Sequence, residues 1–203
     1  MTSFPNRGHI APIPWFVAIG ASGSGLQDII ALLIALSHID AVVLTVLHRL
    51  FDHPSQLSRV LSYATDRPVI IAKDGEHFEP GSYYIGEPSA HLTVTVGGLC
   101  KLVQDPVSHF RNRTIDLLFQ SVASHGGNHM IGVILSGFLD DGSRGLAAIH
   151  DAGGWTMVVT PAIPRQFEMP DNAINYDGPI TYIGSPQQIA DAIHGLVKSK
   201  AAD

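Results

Sequence analysis

Ile19-Gly20-Ala21-Ser22-Gly23-Ser24-Gly25, preceded by Trp15-Phe16-Val17-Ala18 and followed by Leu26-Gln27-Asp28-Ile29-Ile30-Ala31-Leu32-Leu33, is the stretch from which the fold is read. An apolar run, a turn of small residues and then a helix-prone run is how a buried strand passes into a helix, because glycine tolerates a tight backbone. The junction can hold a phosphate on the free N–H groups of the helix start, or it can expose a nucleophilic serine there. A third reading makes Ser22 a helix cap.

Outward from this junction the same pattern recurs. Residues 15–20 read as a strand and 25–37 as a helix; Ala41-Val42-Val43-Leu44-Thr45-Val46-Leu47 is then a continuous β-prone run, the signature of a strand covered on both faces. Pro54 can open a helix with Leu57, Val60 and Leu61 on one side, and 68–72 reads as a strand. Between 73 and 103 short runs, including 82–85 and 92–96, alternate with Asp74-Gly75, Pro80-Gly81 and Gly97-Gly98, which reads as hairpins or a small antiparallel extension. Helical spacing returns at 114–124, a buried strand at 130–136, a short helix at 142–150, a strand at 156–160 and a last helix at 186–200. Alternating strands and helices predict a doubly wound α/β fold: a mostly parallel sheet, helices on both faces, and the antiparallel extension. No repeat or linker divides the chain, so the expected organisation is a flexible leader over 1–14 and one domain over 15–203.

Composition narrows the function. Of 203 residues 45% are apolar and only 15% charged, with a formal net charge of -6. Arg111 and Arg113 form the densest basic pair, too little for a phosphate backbone, so nucleic acid is not an expected partner. Cys100 is the only cysteine, which excludes an internal disulfide and a thiolate zinc cluster. No run reaches about 18 apolar residues, so no membrane span is expected, and the first fourteen residues lack a signal peptide's apolar core. A cytoplasmic protein is the expectation.

Three polar residues follow strands. Ser22 follows the first, His48 follows Leu47 of the second, and Asp140 and Asp141 follow the strand ending near Ser136. Loops beyond the carboxyl ends of parallel strands line the usual binding crevice. A Ser-His-Asp triad is therefore possible: His48 would accept the Ser22 proton and an aspartate would orient the imidazole. The bland readings are a boundary histidine and an aspartate capping the next helix; local sequence does not choose between Asp140 and Asp141, and His53 is a second candidate base. The order G-x-x-G-x-G over Gly20, Gly23 and Gly25 is not the dinucleotide G-x-G-x-x-G, and G-K-[ST] is missing. Asp40 could serve a ribose or simply begin a strand. His77, His91, His109, His125 and His129 are scattered without metal-ligand spacing, so neither metal nor cofactor is expected.

These motifs, in order, resemble the catalytic domain of the chemotaxis protein-glutamate methylesterases, the CheB family, over roughly 15–195. The nucleophile segment I-G-A-S-T-G-G is similar to residues 19–25 and implies Ser22 as nucleophile, with Gly23 beside the oxyanion. The strand ending in Q-H-M-P corresponds to Leu47-His48-Arg49-Leu50 and implies His48 as base. L-T-G-M-G-x-D-G-x-x-G-L resembles Leu135 to Leu146, which implies Asp141 rather than Asp140 as the acid and Phe138 near the oxyanion. G-M-P-R-x-A corresponds to Glu168-Met169-Pro170-Asp171-Asn172-Ala173 and places Met169 in the same vicinity. Arg49 and Arg111 are candidate substrate-binding residues.

The resemblance implies hydrolysis of glutamate γ-methyl esters on a chemoreceptor to glutamate and methanol through an acyl-enzyme, with glutamine deamidation as a related reaction and no cofactor. The chain departs from the pattern at Gly23-Ser24, Arg49-Leu50, Arg111, Phe138-Leu139 and Asp171. The receiver domain that usually precedes this domain does not fit in the leader, so a separate response regulator is an expected partner. The alternative is a catalytically altered homologue that binds a signalling protein without hydrolysis.

Overall fold

The computed structural model describes residues 13–48, 56–105, 113–125, 128–161, 168–176 and 178–199. Most of the expected leader, residues 1–12, lies outside them. Strand β1 (Trp15–Ala21) is buried along its whole length. Its alternate side chains feed two cores, Trp15, Val17 and Ile19 one, Phe16 and Ala18 the other, because successive residues of a strand point to opposite faces. A continuous apolar run is what such a two-sided strand needs.

β1 pairs in parallel with β2 (Ala41–Leu47) on one side and with β7 (Met130–Ile134) on the other. The full sheet has seven strands in the order β3-β4-β2-β1-β7-β8-β9, with β3 at Val69–Ile71, β4 at Tyr83–Ile85, β8 at Trp155–Val159 and β9 at Tyr182–Gly184. Every neighbouring pair in it is parallel. Helices α1 (Leu26–Ala35), α2 (Leu57–Thr65) and α6 (Pro186–Ser199) cover one face, and α3 (Thr114–His125), α4 (Ser143–Asp151) and α5 (Met169–Asn175) the other. The doubly wound α/β fold and its antiparallel extension are both present. The extension is the hairpin of β5 (His91–Val94) and β6 (Cys100–Val103).

One placement differs from the sequence reading. Residues 82–85 are not part of the antiparallel extension: β4 lies inside the main sheet, parallel to β2 and β3. Tyr83 is buried in the first core and its hydroxyl donates to Leu36 O at 2.8 Å. Tyr84 is buried in the second, and its hydroxyl accepts the Glu79 N–H at 3.1 Å. Two tyrosines serving two cores, each with its polar tip satisfied, suit a covered strand. The Pro80-Gly81 turn just before them hid this.

From β1 the chain passes to β2 on one side; from β7 it passes to β8 on the other. The winding reverses between β1 and β7, and their carboxyl ends open onto the crevice where parallel sheets bind ligands.

Candidate active site

Ser22 is the first residue beyond β1. Its backbone is extended, with φ -116°, and its side chain makes no capping bond to the turn that follows. The cap reading therefore does not describe it. Ser22 is 94% removed from solvent, at 6% relative exposure, and its Oγ accepts the Phe138 N–H at 2.8 Å. Its own N–H donates to Ser136 O at 3.2 Å, so the loops after β1 and β7 are laced together at the serine.

Gly137 makes that approach possible. A Cβ there would sit 2.5 Å from Met169 Sδ and 2.6 Å from Ser22 Oγ. Only a residue without a side chain leaves room. On the far side, Met169 N–H donates to Gly137 O at 2.8 Å, and Phe138 bridges Glu168 antiparallel. Met169 is fully buried and supports this loop from beneath.

His48 follows β2, and its N–H donates to Ala21 O at 3.0 Å, extending the β1–β2 ladder by one bond. Its Nε2 lies 2.5 Å from Asp141 Oδ2, with the carboxylate wholly buried. Asp140 points elsewhere: its side chain is 58% exposed and meets Arg113 at 3.5 Å. The structure thus brings His48 to Asp141 and not to Asp140. Among the described residues no hydrogen bond joins Ser22 Oγ to His48; the bond that Ser22 Oγ makes is the one from Phe138 N–H.

The sequence left open whether an aspartate here caps the following helix. Asp141 caps a different one. Its two oxygens accept the N–H groups of Ile115 (2.9 Å) and Asp116 (2.8 Å) in the first turn of α3, where unpaired donors and the positive end of the helix favour a carboxylate. Asp116 returns the arrangement, its Oδ1 accepting Gly142 N–H at 3.0 Å and Gly145 N–H at 2.8 Å at the start of α4. Gly142 has φ +95°, in the left-handed region that favours glycine. Two helices therefore exchange their caps across the site. Burial pushes the Asp116 carboxyl above its usual value and Asp141 adds to this, while the bonds from Gly145 and Gly142 and the charge of Arg113 act against it. Burial works against the charge of Arg113, but Asp140 and Asp116 more than offset it, and its guanidinium is held above its usual value.

Sequence reasoning passed over the structural part played by Asp116, an aspartate in the first helical turn. It also gave no role to Asn172, whose Nδ2 donates to Leu139 O at 2.6 Å. Arg49, His53, Arg111 and His109 lie outside the described residues. Other histidines are engaged apart from the site: His91 Nε2 lies 3.5 Å from Asp105, His125 meets Val96 O, and His129 packs edge-on to Trp15. Among the described residues no group of three or more His, Cys, Asp or Glu could hold a metal ion, and no helix is long and apolar enough to cross a membrane.

A serine, a histidine and a buried aspartate at the carboxyl ends of β1, β2 and β7 define an open parallel α/β domain with its candidate site at the reversal of winding. Comparison with known proteins narrows the class. The chain belongs to the CheB methylesterase family, whose model matches residues 17–193. It is 33% identical over 165 residues to the protein-glutamate methylesterase/protein-glutamine glutaminase of Salmonella typhimurium strain LT2, a match covering 80% of this chain and 47% of that protein. The Escherichia coli K12 protein of the same description is 32% identical over the same length, with the same coverage. The chain thus spans about half the length of the curated relatives it matches. In fold it resembles the crystal structure of the Thermotoga maritima CheB methylesterase catalytic domain, with a TM-score of 0.80 and 24% identity, covering 91% of this chain and 99% of that one.

Proposed function

We propose that this domain is a serine esterase that hydrolyses glutamate γ-methyl esters on chemoreceptor proteins, with glutamine deamidation as its related reaction. The observation that carries the reading is the 2.5 Å His48 Nε2–Asp141 Oδ2 hydrogen bond at the strand ends where Ser22 emerges. A histidine locked to a buried carboxylate beside a serine has the means to act as a base. Family membership supports a glutamate γ-methyl ester as the acyl substrate.

Proton bookkeeping follows from that bond. Asp141 Oδ2 accepts the hydrogen bond from the Nε2–H, so Nδ1 carries the lone pair and receives the Ser22 proton. That is the reverse of the nitrogen assignment in the best-known serine proteases. Ser22 Oγ attacks the side-chain ester carbonyl, His48 protonates departing methanol, and the same imidazole then activates water to release glutamate. The N–H of Phe138, now on Ser22 Oγ, and that of Gly23 serve the developing oxyanion. Arg49 and Arg111 are proposed substrate contacts, a separate response regulator a proposed partner, and the cytoplasm the proposed location.

The test is methanol release from a methylated chemoreceptor fragment. Wild type is expected to turn over and Ser22→Ala to lose at least ~10³-fold in kcat. Equal activity in the two would remove Ser22 as nucleophile. Saturable binding of the fragment without methanol release would establish the non-hydrolytic reading instead.

A further inference from the structure

Resting on the esterase reading, we infer that Phe138 and Leu139 form an apolar contact beside Ser22 that selects polypeptides with apolar side chains next to the reacting glutamate ester. Both residues are exposed, at 56% and 49%, within a three-residue exposed stretch ending at Asp140, while Gly137 before it and Asp141 after it are buried. Their backbone is held firmly. Phe138 N–H is bonded to Ser22 Oγ at 2.8 Å, and Phe138 also bridges Glu168.

Leu139 adopts φ +76°, a left-handed conformation that a bulky side chain disfavours. Asn172 Nδ2 clasps its carbonyl at 2.6 Å and stabilises that geometry. A loop that needed only the turn would be served by glycine, as it is at Gly142 with φ +95°. Here the strained position carries a leucine, and what the leucine adds is apolar surface one residue from the N–H that touches Ser22 Oγ.

An ester carbon that reaches Ser22 Oγ comes within a few bond lengths of the Phe138 N–H, at 2.8 Å from that oxygen, and so beside this loop. Among the described residues, the charge beside it argues against acidic flanks. Arg113 is paired with Asp116 and Asp140, and the Asp140 carboxylate remains 58% exposed beside Leu139. An acidic neighbour would meet that carboxylate, whereas an apolar one gains burial on Phe138 and Leu139.

Two blocked peptides test this, each with one glutamate γ-methyl ester, differing only in leucine or serine at the two residues flanking it. Wild type is expected to favour the leucine peptide about tenfold in kcat/KM, mostly through KM. Phe138→Ala, which keeps the backbone N–H, and Leu139→Gly should each bring the ratio toward unity. Leu139→Gly should also raise Tm, because glycine relieves the left-handed strain. Tyr63→Ser, altering the most exposed aromatic among the described residues, on α2, should leave the ratio unchanged. Equal kcat/KM for the two peptides in wild type overturns the inference and leaves the esterase reading standing, as does a preference that survives in both loop variants. Hydrolysis of neither peptide, with none of a methylated receptor fragment, overturns the esterase reading and this inference with it.

Discussion

Gly137 shows how little room the site has. The absent side chain leaves the space in which Ser22 Oγ, Ser22 N and Met169 Sδ meet. A Cβ in Gly137→Ala would lie within 3.0 Å of all three, so the flexible end of Met169 giving way does not relieve the clash and Ser22 must shift as well. A displacement near 1 Å at a reacting atom costs on the order of 10²-fold in rate, while overpacking costs about 1–3 kcal/mol of stability. Gly137→Ala is therefore expected to lose activity far beyond its loss of stability, checked by comparing kcat with Tm. Asp141→Asn is expected to fail differently. It keeps one acceptor for α3 but cannot hold both N–H groups and His48 as an anion, so activity should fall by about 10⁴-fold with a stability cost of about 1–3 kcal/mol.

At the scale of elements, the exchanged caps join α3 and α4 into a single support for the site. Asp116→Ala leaves the Gly142 and Gly145 N–H groups without their acceptor, at about 1–3 kcal/mol, and loosens the turn that carries Asp141. Asp116→Asn keeps an acceptor and isolates the titration. Burial, reinforced by Asp141, holds the folded Asp116 carboxyl above its ordinary value. Below that ordinary value the group is protonated in both states. As pH rises through it, the unfolded carboxyl ionises first, the unfolded state then binds fewer protons, and stability falls until the folded carboxyl ionises as well. Urea unfolding across this window should show a flatter pH dependence for Asp116→Asn than for wild type. The placement of whole elements was partly legible. Unbroken apolar runs identify β1, β2 and β7, since a strand covered on both faces has no polar side to interrupt it. α5 and β9 escaped, because three to seven residues carry too little periodicity to separate a strand or helix from a loop, whereas the run at β4 was legible and only its place in the parallel sheet was not.

At the scale of the whole molecule, the second core, between the sheet and the α3 side, closes over Cys100, whose thiol is pushed up to about 12 by burial, with the charges of Glu76 and Asp74 adding to it. It is 1% exposed. Native protein is expected to leave Cys100 unmodified by a thiol reagent at neutral pH, with labelling appearing as urea unfolds the domain. Labelling at the native rate of a free thiol would mean that the β5–β6 hairpin opens independently.

Local chemistry dictates where chain direction changes: small residues at 20–25 force the strand-to-helix turn, and polar residues after apolar runs mark the strand ends where Ser22, His48 and two aspartates stand. It could not tell whether Ser22 caps its own turn, nor which of Asp140 and Asp141 meets His48, because both aspartates sit in one polar turn with the same neighbours. Those differences arise only when β1, β2 and β7 lie side by side. Then Ser22 Oγ receives the Phe138 N–H instead of capping its own turn, and Asp141, ninety-three residues from His48, meets it at 2.5 Å. Burial and hydrogen-bond partners belong to the closed sheet and its helices, and no window of sequence contains them.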